Sequence, residues 1–272
     1  MEVTLLGTGD TTGTPTPGCD CDTCRRARDQ DVERTRFSVH VYNERTDQSL
    51  LLDASPDFRT QFLRQSVPLP DAAVISHIHF DHLDGLGNAY RLVDSLTVYA
   101  AAATDPATGE SVAETVARKY DYLDRVTVEP RSPYRTFDAA GFDVTLVPVD
   151  HPPLHCYGIR IDGPTGSLAL TGDTTYAVPD RSRAVLADAD LLLADALVPA
   201  TQCGRHPAGG AHHDADGVPR TFGTKHMTRE GALALATDLD ADRTRLVHAS
   251  HYYPAEDAFE EPLAVDGERY TL

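Results

Sequence analysis

The chain has 272 residues, 42 of them acidic and 24 basic, for a formal net charge of −18, and 41% are hydrophobic. That length suits one large domain or two small ones, burying roughly 70–75% of the unfolded surface. Lys119 and Lys225 are the only lysines and no Lys/Arg cluster occurs, which argues against a general nucleic-acid binder; no apolar run approaches the ~20 residues of a membrane span.

The opening "MEVTLLGTGD" has no basic leader region, so the expectation is a soluble, cytoplasmic protein, and "EVTLLG" predicts a first strand. The Gly-, Pro- and Thr-rich "TGDTTGTPTPGCDCDTC" predicts an irregular loop. "FSVHVYN" and "SLLLD" follow as paired strands, then a short helix over Asp57 to Arg64 and a buried strand at "AAVIS". From His82 to about Val93 the spacing predicts a helix with Leu83, Leu86 and Tyr90 on one face, then a strand at "LTVYA" and an amphipathic helix from Thr104 to Lys119. Strands are expected at "RVTVE", "FDVTLVPV", "YGIRI" and "SLALTG", a helix near Arg181 to Ala187, and a buried strand at "DLLLADA". Residues 199 to 225 are polar and Gly-rich without periodicity and read as a long, lid-like loop. Thr228 then caps a helix ending near Asp238, with Glu230 in its first turn, and "TRLVHAS" is the last clear strand. Runs of strands with helices interspersed predict an α/β fold with two mixed sheets, in a single domain over residues 1–272.

An Asp-rich, Lys-poor surface suits a protein from a high-salt organism, with an ordinary acidic protein as the plainer reading. Five cysteines are an odd number for a disulfide framework, so the cluster Cys19, Cys21 and Cys24 is better read as metal-ligating. Cys156 reads as a small buried hydrophobe.

"SHIHFDHLDG", residues 76 to 85, follows directly on a buried strand. His77 and His79 point to one face while the chain is extended, and Asp81 and His82 come where a helix begins, so four ligand-type side chains converge on a small volume. Imidazole with carboxylate suits Zn, Mn or Fe. His151, Asp173 and His248 each follow an apolar strand as well, and strand ends at one sheet edge are where α/β proteins build sites.

His77-x-His79-x-Asp81-His82, followed by His151, Asp173 and His248, resembles the metallo-β-lactamase superfamily over essentially the whole chain. The resemblance implies a four-layer αβ/βα sandwich and two divalent ions, Zn or Mn: one held by His77, His79 and His151, the other by Asp81, His82 and His248, with Asp173 bridging. His155 is the competitor for the place of His151, which is preferred because it directly ends its own strand. Asp53 matches a recurrent acidic position of the superfamily; it reads either as the acceptor that fixes the tautomer of a ligand imidazole or as a turn or helix-cap residue.

Such an ion pair holds a bridging hydroxide at neutral pH, which can attack phosphodiesters, thioesters, lactones or lactams. Asp81 and Asp173 belong to that catalytic centre. His226, in "GTKHMTRE", falls just before a helix with no metal position left for it, and the phosphodiesterase branches of the superfamily carry a histidine there. It reads as the general acid for a leaving alkoxide, against a capping or surface role. "GTGDTTGTPTPGCDCDTCRRAR" with "HASH" looks like the PhnP-like group of cyclic phosphate phosphodiesterases, in which a Cys-x-Cys-x-x-Cys loop and a histidine three residues past the last catalytic one hold a structural zinc. Cys19, Cys21, Cys24 and His251 supply that set, pinning a loop over about residues 8–36. The expected function is hydrolysis of a small, linear or cyclic, nucleotide-like or sugar phosphodiester, in a chain that forms no membrane contact and is compatible with a homodimer. The alternatives are a tRNA 3′-processing type of nuclease, disfavoured by the charge, and a thioester or lactone hydrolase. Residues 199 to 225, with His206, His212, His213 and Arg220, are longer than the group needs and leave the substrate open.

Overall fold

The computed structural model describes residues 1–89, 91–207, 209–210 and 214–272. Tyr90, His212 and His213, singled out above, lie outside the described residues.

The first sheet has the order β15-β1-β2-β3-β4-β5-β6 and the second β14-β11-β10-β9-β8-β7. In the first, β1 (Glu2–Gly7), β2 (Ser38–Asn43) and β3 (Gln48–Leu52) are antiparallel, while β4 (Ala72–Ile75), β5 (Leu96–Ala101) and β6 (Val126–Arg131) continue parallel to β3. In the second, the hairpins of β7 (Phe137–Ala139), β8 (Phe142–Val149), β9 (Cys156–Asp162) and β10 (Ser167–Leu170) lead into parallel β11 (Leu191–Asp195) and β14 (Thr244–Val247). β4, β10 and β11 are buried along their whole length, which is why they read as continuous apolar runs.

Leu5, Val39, Leu51, Val74 and Val98 of the first sheet share one core with Leu146, Ile159, Leu168 and Leu193 of the second. Helix α2 (Phe58–Gln65) packs on β1, and α5 (Val112–Lys119) on β5 and β6; α6 (Asp180–Leu186) and α7 (Arg229–Asp238) cover the second sheet. This is the αβ/βα sandwich with two mixed sheets. No helix among the described residues is long and apolar enough to cross a membrane.

Several elements differ from the expectations. The cysteine loop contains a helix, α1 (Asp22–Asp29), because Cys21 serves as its N-cap, accepting from the Cys24 N–H at 3.4 Å. The helix expected over 82–93 is broken into α3 (Phe80–Leu83) and α4 (Leu86–Ala89). Gly85 makes the break: its N–H donates to Ala54 O, and a Cβ there would lie 2.1 Å from Ser55 O. The helix expected from Thr104 starts only at Val112, since Ser111 and Glu114 form a reciprocal capping box while Asp105 caps the preceding turn through Ala107 N. Strands β7 and β15 (Arg269–Thr271) are too short to show a period; β15 exists by pairing with β1. The 199–225 stretch holds a 3₁₀ turn at Ala200–Arg205 and a ribbon, β12 (Thr221–Phe222) with β13 (His226–Met227), that presents its loop to the sheet edge.

Candidate metal centre and active site

The C-terminal ends of β3, β4, β8, β10, β11 and β14 meet at one edge of the sandwich, and each delivers a side chain within or just past its end: Asp53, His77, His151, Asp173, Asp195 and His248. Parallel strands put equivalent ends side by side, so six chain segments distant in sequence reach one volume. Asp53 and His248 have φ of 56° and 58°, the left-handed region, an unfavourable conformation for residues with a Cβ and one held by the surrounding packing.

His77 Nε2 lies 2.9 Å from His79 Nδ1, which in turn lies 3.2 Å from His151 Nε2. Asp81 Oδ2 is 3.6 Å from both His82 Nε2 and His248 Nε2. Between the two groups, Asp173 Oδ2 is 3.7 Å from His77 Nε2, 3.4 Å from His82 Nε2 and 3.5 Å from His248 Nε2, the position of a bridge. His151 thus joins the cluster. His155 does not; its ring packs edge-on to Tyr157, and its backbone N–H donates to Asp105.

The chemistry of this set fits two divalent ions. His82 Nε2 and both ring nitrogens of His248 are buried without a hydrogen-bond partner, an expensive arrangement unless a cation takes their lone pairs. Burial drives His77 well below the ordinary histidine value and His151 to about 3, so both rings are neutral, the form that ligates. His248 goes the other way, to about 9: burial opposes the rise, but the carboxylates of Asp173, Asp81 and Asp195 outweigh it. Buried negative charge here calls for a cation.

Carboxylates behind the cluster orient its imidazoles. Asp53 Oδ2 accepts from His82 Nδ1 at 2.6 Å and from the Ser76 hydroxyl at 2.7 Å, and Asp53 Oδ1 accepts the Ser76 N–H at 2.7 Å. His151 Nδ1 donates to the Lys225 carbonyl at 2.8 Å. Asp195 escaped the sequence reading. Its Oδ2 lies 3.0 Å from His226 Nδ1 and its Oδ1 3.6 Å from His248 Nδ1. The signal was present: Asp195 ends "DLLLAD" as Asp53 ends "SLLLD", and both are acids closing an apolar run.

A cleft of about 360 Å³ opens on the cluster, walled by Phe80, Leu197, His206, Phe222, Lys225 and His226. His226 stacks on His248, with ring centroids 5.1 Å apart and 16° between planes, and sits edge-on to His151 at the same separation. Lys225 is the only Lys or Arg in the cleft lining among the described residues. Arg220 is turned away, paired with Asp214 at 2.8 Å and Asp216 at 2.7 Å.

The Sγ atoms of Cys19, Cys21 and Cys24 lie 3.3, 3.6 and 3.5 Å from His251 Nδ1, a four-ligand group of the closed kind. Cys21 and Cys24 are set by the first turn of α1. Against burial, the Cys24 N–H holds the Cys21 thiol below its ordinary value, while burial pushes Cys24 up to about 12. Next to this group, Ala249 N donates to Thr8 O at 3.1 Å and Asp10 N to Ala249 O at 3.3 Å, stitching the N-terminal loop to the segment that carries His248.

A sequence profile described as a beta-lactamase superfamily domain matches residues 48–249. The octanoyltransferase of Porphyromonas gingivalis is 26% identical over 265 residues, 93% of this chain; the chain spans about half of that relative, 47% of its length. A crystal structure of a new diphosphatase from the PhnP family superposes with a TM-score of 0.77 at 28% identity, covering 100% of this chain and 97% of that one. Zn(2+)-bound PqqB from Methylobacterium extorquens gives the same TM-score at 25% identity, with 100% of both chains covered.

Proposed function

The chain belongs to the metallo-β-lactamase superfamily, a hydrolase fold with PhnP-like members, and on that premise we propose that it is a metal-dependent phosphodiesterase acting on a small phosphodiester, with His226 as proton donor to the leaving group. His77, His79 and His151 would hold one ion, Asp81, His82 and His248 the other, with Asp173 between them. Two divalent ions there would act as Lewis acids and bring the pKa of a water near neutrality.

The observation that carries the reading is the Asp195–His226 pair. With Nδ1 bonded to Asp195, Nε2 is the nitrogen left to give a proton, and the ring stands in the cleft wall against His248 and His151, beside the place where a scissile group would lie. An alkoxide leaves with difficulty from phosphorus and gains most from such a donor. Lys225, on the same short ribbon, places positive charge beside the carboxylates and imidazoles of the cleft floor, which suits an anionic ester. The cleft's size and the chain's −18 charge suit a small molecule better than an RNA. Acyl-ester hydrolysis is the second reading, supported by the octanoyltransferase match; thiolates and lactone alkoxides need less help in leaving, so it makes His226 dispensable.

Replacing His226 by Ala separates the two. We expect kcat on an alkyl phosphodiester to fall by roughly 10²–10⁴ with metal content constant, and kcat on bis(p-nitrophenyl) phosphate, whose nitrophenolate leaves with little help, to fall much less. Turnover of an alkyl phosphodiester unchanged by the substitution would overturn the reading.

A further inference from the structure

Phe80 is out of place for a phenylalanine. Of the eight in the chain it alone is exposed, at 49%, while its neighbours Asp81, His82 and Leu83 are 4%, 1% and 0% exposed. It packs into none of the hydrophobic clusters among the described residues. The cause is its position between His79 and Asp81. Those two side chains turn to the metal cluster, the helical turn starting at Phe80 fixes the backbone, and the ring is left standing at the mouth of the cleft. A lone exposed apolar side chain is ordinary on a protein surface. This one lines the cleft that opens on the candidate metal cluster.

The rest of the cleft wall has the same character. Phe222 and Leu197 line the cleft with little of their surface exposed, and the His206 ring packs edge-on to Phe222 with centroids 4.8 Å apart. The cleft therefore has a charged floor, made by the metal-ligating side chains and Lys225, under apolar and aromatic walls. A charged floor with flat apolar walls is the arrangement that holds an anion at its centre and a planar group beside it. The remaining face of Phe80 is large enough to be covered by a ring, and stacking on it requires no specific hydrogen bonds, so it selects a class of substrate more than one base.

The geometry points to Phe80 as a specificity-determining residue that stacks on an aromatic group of the substrate, a nucleobase or another aryl ring. The ester this chain acts on is then an aryl or nucleoside phosphodiester and not a bare sugar phosphate. This rests on the phosphodiesterase reading above and narrows its substrate.

The test is calorimetric and needs no turnover. Binding of adenosine 5′-monophosphate, ribose 5-phosphate and hexyl phosphate is measured on the metal-loaded protein, on Phe80→Ala and Phe80→Leu, and on Phe80→Tyr, which keeps the aromatic face. Phe80 is half exposed, so none of these changes removes core packing. The expected result is that the wild-type protein binds the adenosine ester roughly tenfold or more tightly than the ribose ester, that Ala and Leu abolish the difference, and that Tyr keeps it. Equal affinities in the wild-type protein, or a difference that survives in Phe80→Ala, overturns the assignment. So does hexyl phosphate binding as tightly as the adenosine ester, which points to an alkyl group in the cleft. Hydrolysis of bis(p-nitrophenyl) phosphate by the same preparation tests the parent reading separately: turnover without aromatic selectivity sinks only the role of Phe80, and selectivity without phosphodiester turnover sinks only the phosphodiesterase.

Discussion

Asp195 holds His226 by a 3.0 Å contact between Oδ2 and Nδ1, and the same oxygen accepts the Thr174 N–H at 3.0 Å. The carboxylate is 1% exposed, so it lies wholly behind the imidazole it orients. A buried acid in that position fixes which ring nitrogen carries the proton, and its other oxygen faces His248.

Replacing Asp195 by Asn keeps the shape of the side chain and removes its charge. We expect kcat on a phosphodiester to fall by roughly a hundredfold with KM little changed, and the affinity of the His248-side ion to drop about 10–100-fold. The checks are steady-state kinetics at saturating metal and metal content at limiting metal. Wild-type kcat in Asp195→Asn would show that the pair plays no part in catalysis.

Asp53 lies behind the same candidate ion site as Asp195, on its His82 side. Asp53→Asn retains a residue that tolerates its left-handed backbone but offers His82 and Ser76 a poorer acceptor. The expected outcome is weaker binding of the ion held by His82, by about 10–100-fold, together with about 1–3 kcal/mol of lost stability from a buried group left without its partner. Competition with a chromophoric chelator measures the first and denaturant unfolding of the metal-free protein the second.

The cysteine group makes a separate forecast. The protein should carry about three metal ions per chain, and Cys21→Ser should lose one of them and melt at a lower temperature. A serine hydroxyl can still cap α1, so the loss of order should follow from the lost metal and reach the Ala249 to Thr8 stitch. Elemental analysis with thermal unfolding reads both, and full metal retention by Cys21→Ser contradicts a closed Cys₃His site.

Away from the metals, His40 on β2 is 1% exposed with Nε2 unpartnered, and burial takes it from the ordinary value near 6.5 down to about 4. The unfolded chain therefore takes up a proton below pH 6.5 that the folded protein refuses until about pH 4. The depressed value means that the contribution to stability is complete above pH 6.5 and is lost as the pH falls to 4. The loss is about 3 kcal/mol. In His40→Leu this part of the acid dependence should vanish, so the wild-type denaturant midpoint should fall relative to that of the variant as the pH drops through that window. Parallel curves would exclude the effect.

The side chains that converge at the sheet edge were legible as a candidate ligand set because much of it is local. His77, His79, Asp81 and His82 lie within six residues, and His151, Asp173 and His248 each follow a run of apolar residues, so strand ends with ligand-type side chains could be read directly. The strands themselves were legible for the same reason: β4, β10 and β11 are buried on both faces and must be continuously apolar. What was missed had weak local signals. The helix α1 starts on a cysteine cap inside a loop-like composition, α3 and α4 are parted by a glycine pressed against Ser55, and β15 is three residues that exist only by pairing with β1.

The sequence alone determined most of the core strands, the candidate metal-ligating residue types and their family pattern, because apolar periodicity and ligand spacing are properties of neighbours along the chain. Only the tertiary structure decided that Asp195 holds His226 and lies against His248, that His151 and not His155 joins the cluster, and that Phe80 is left exposed beside it. Those depend on which strand ends lie side by side in the two sheets, and sheet order is set by packing between segments far apart in the chain.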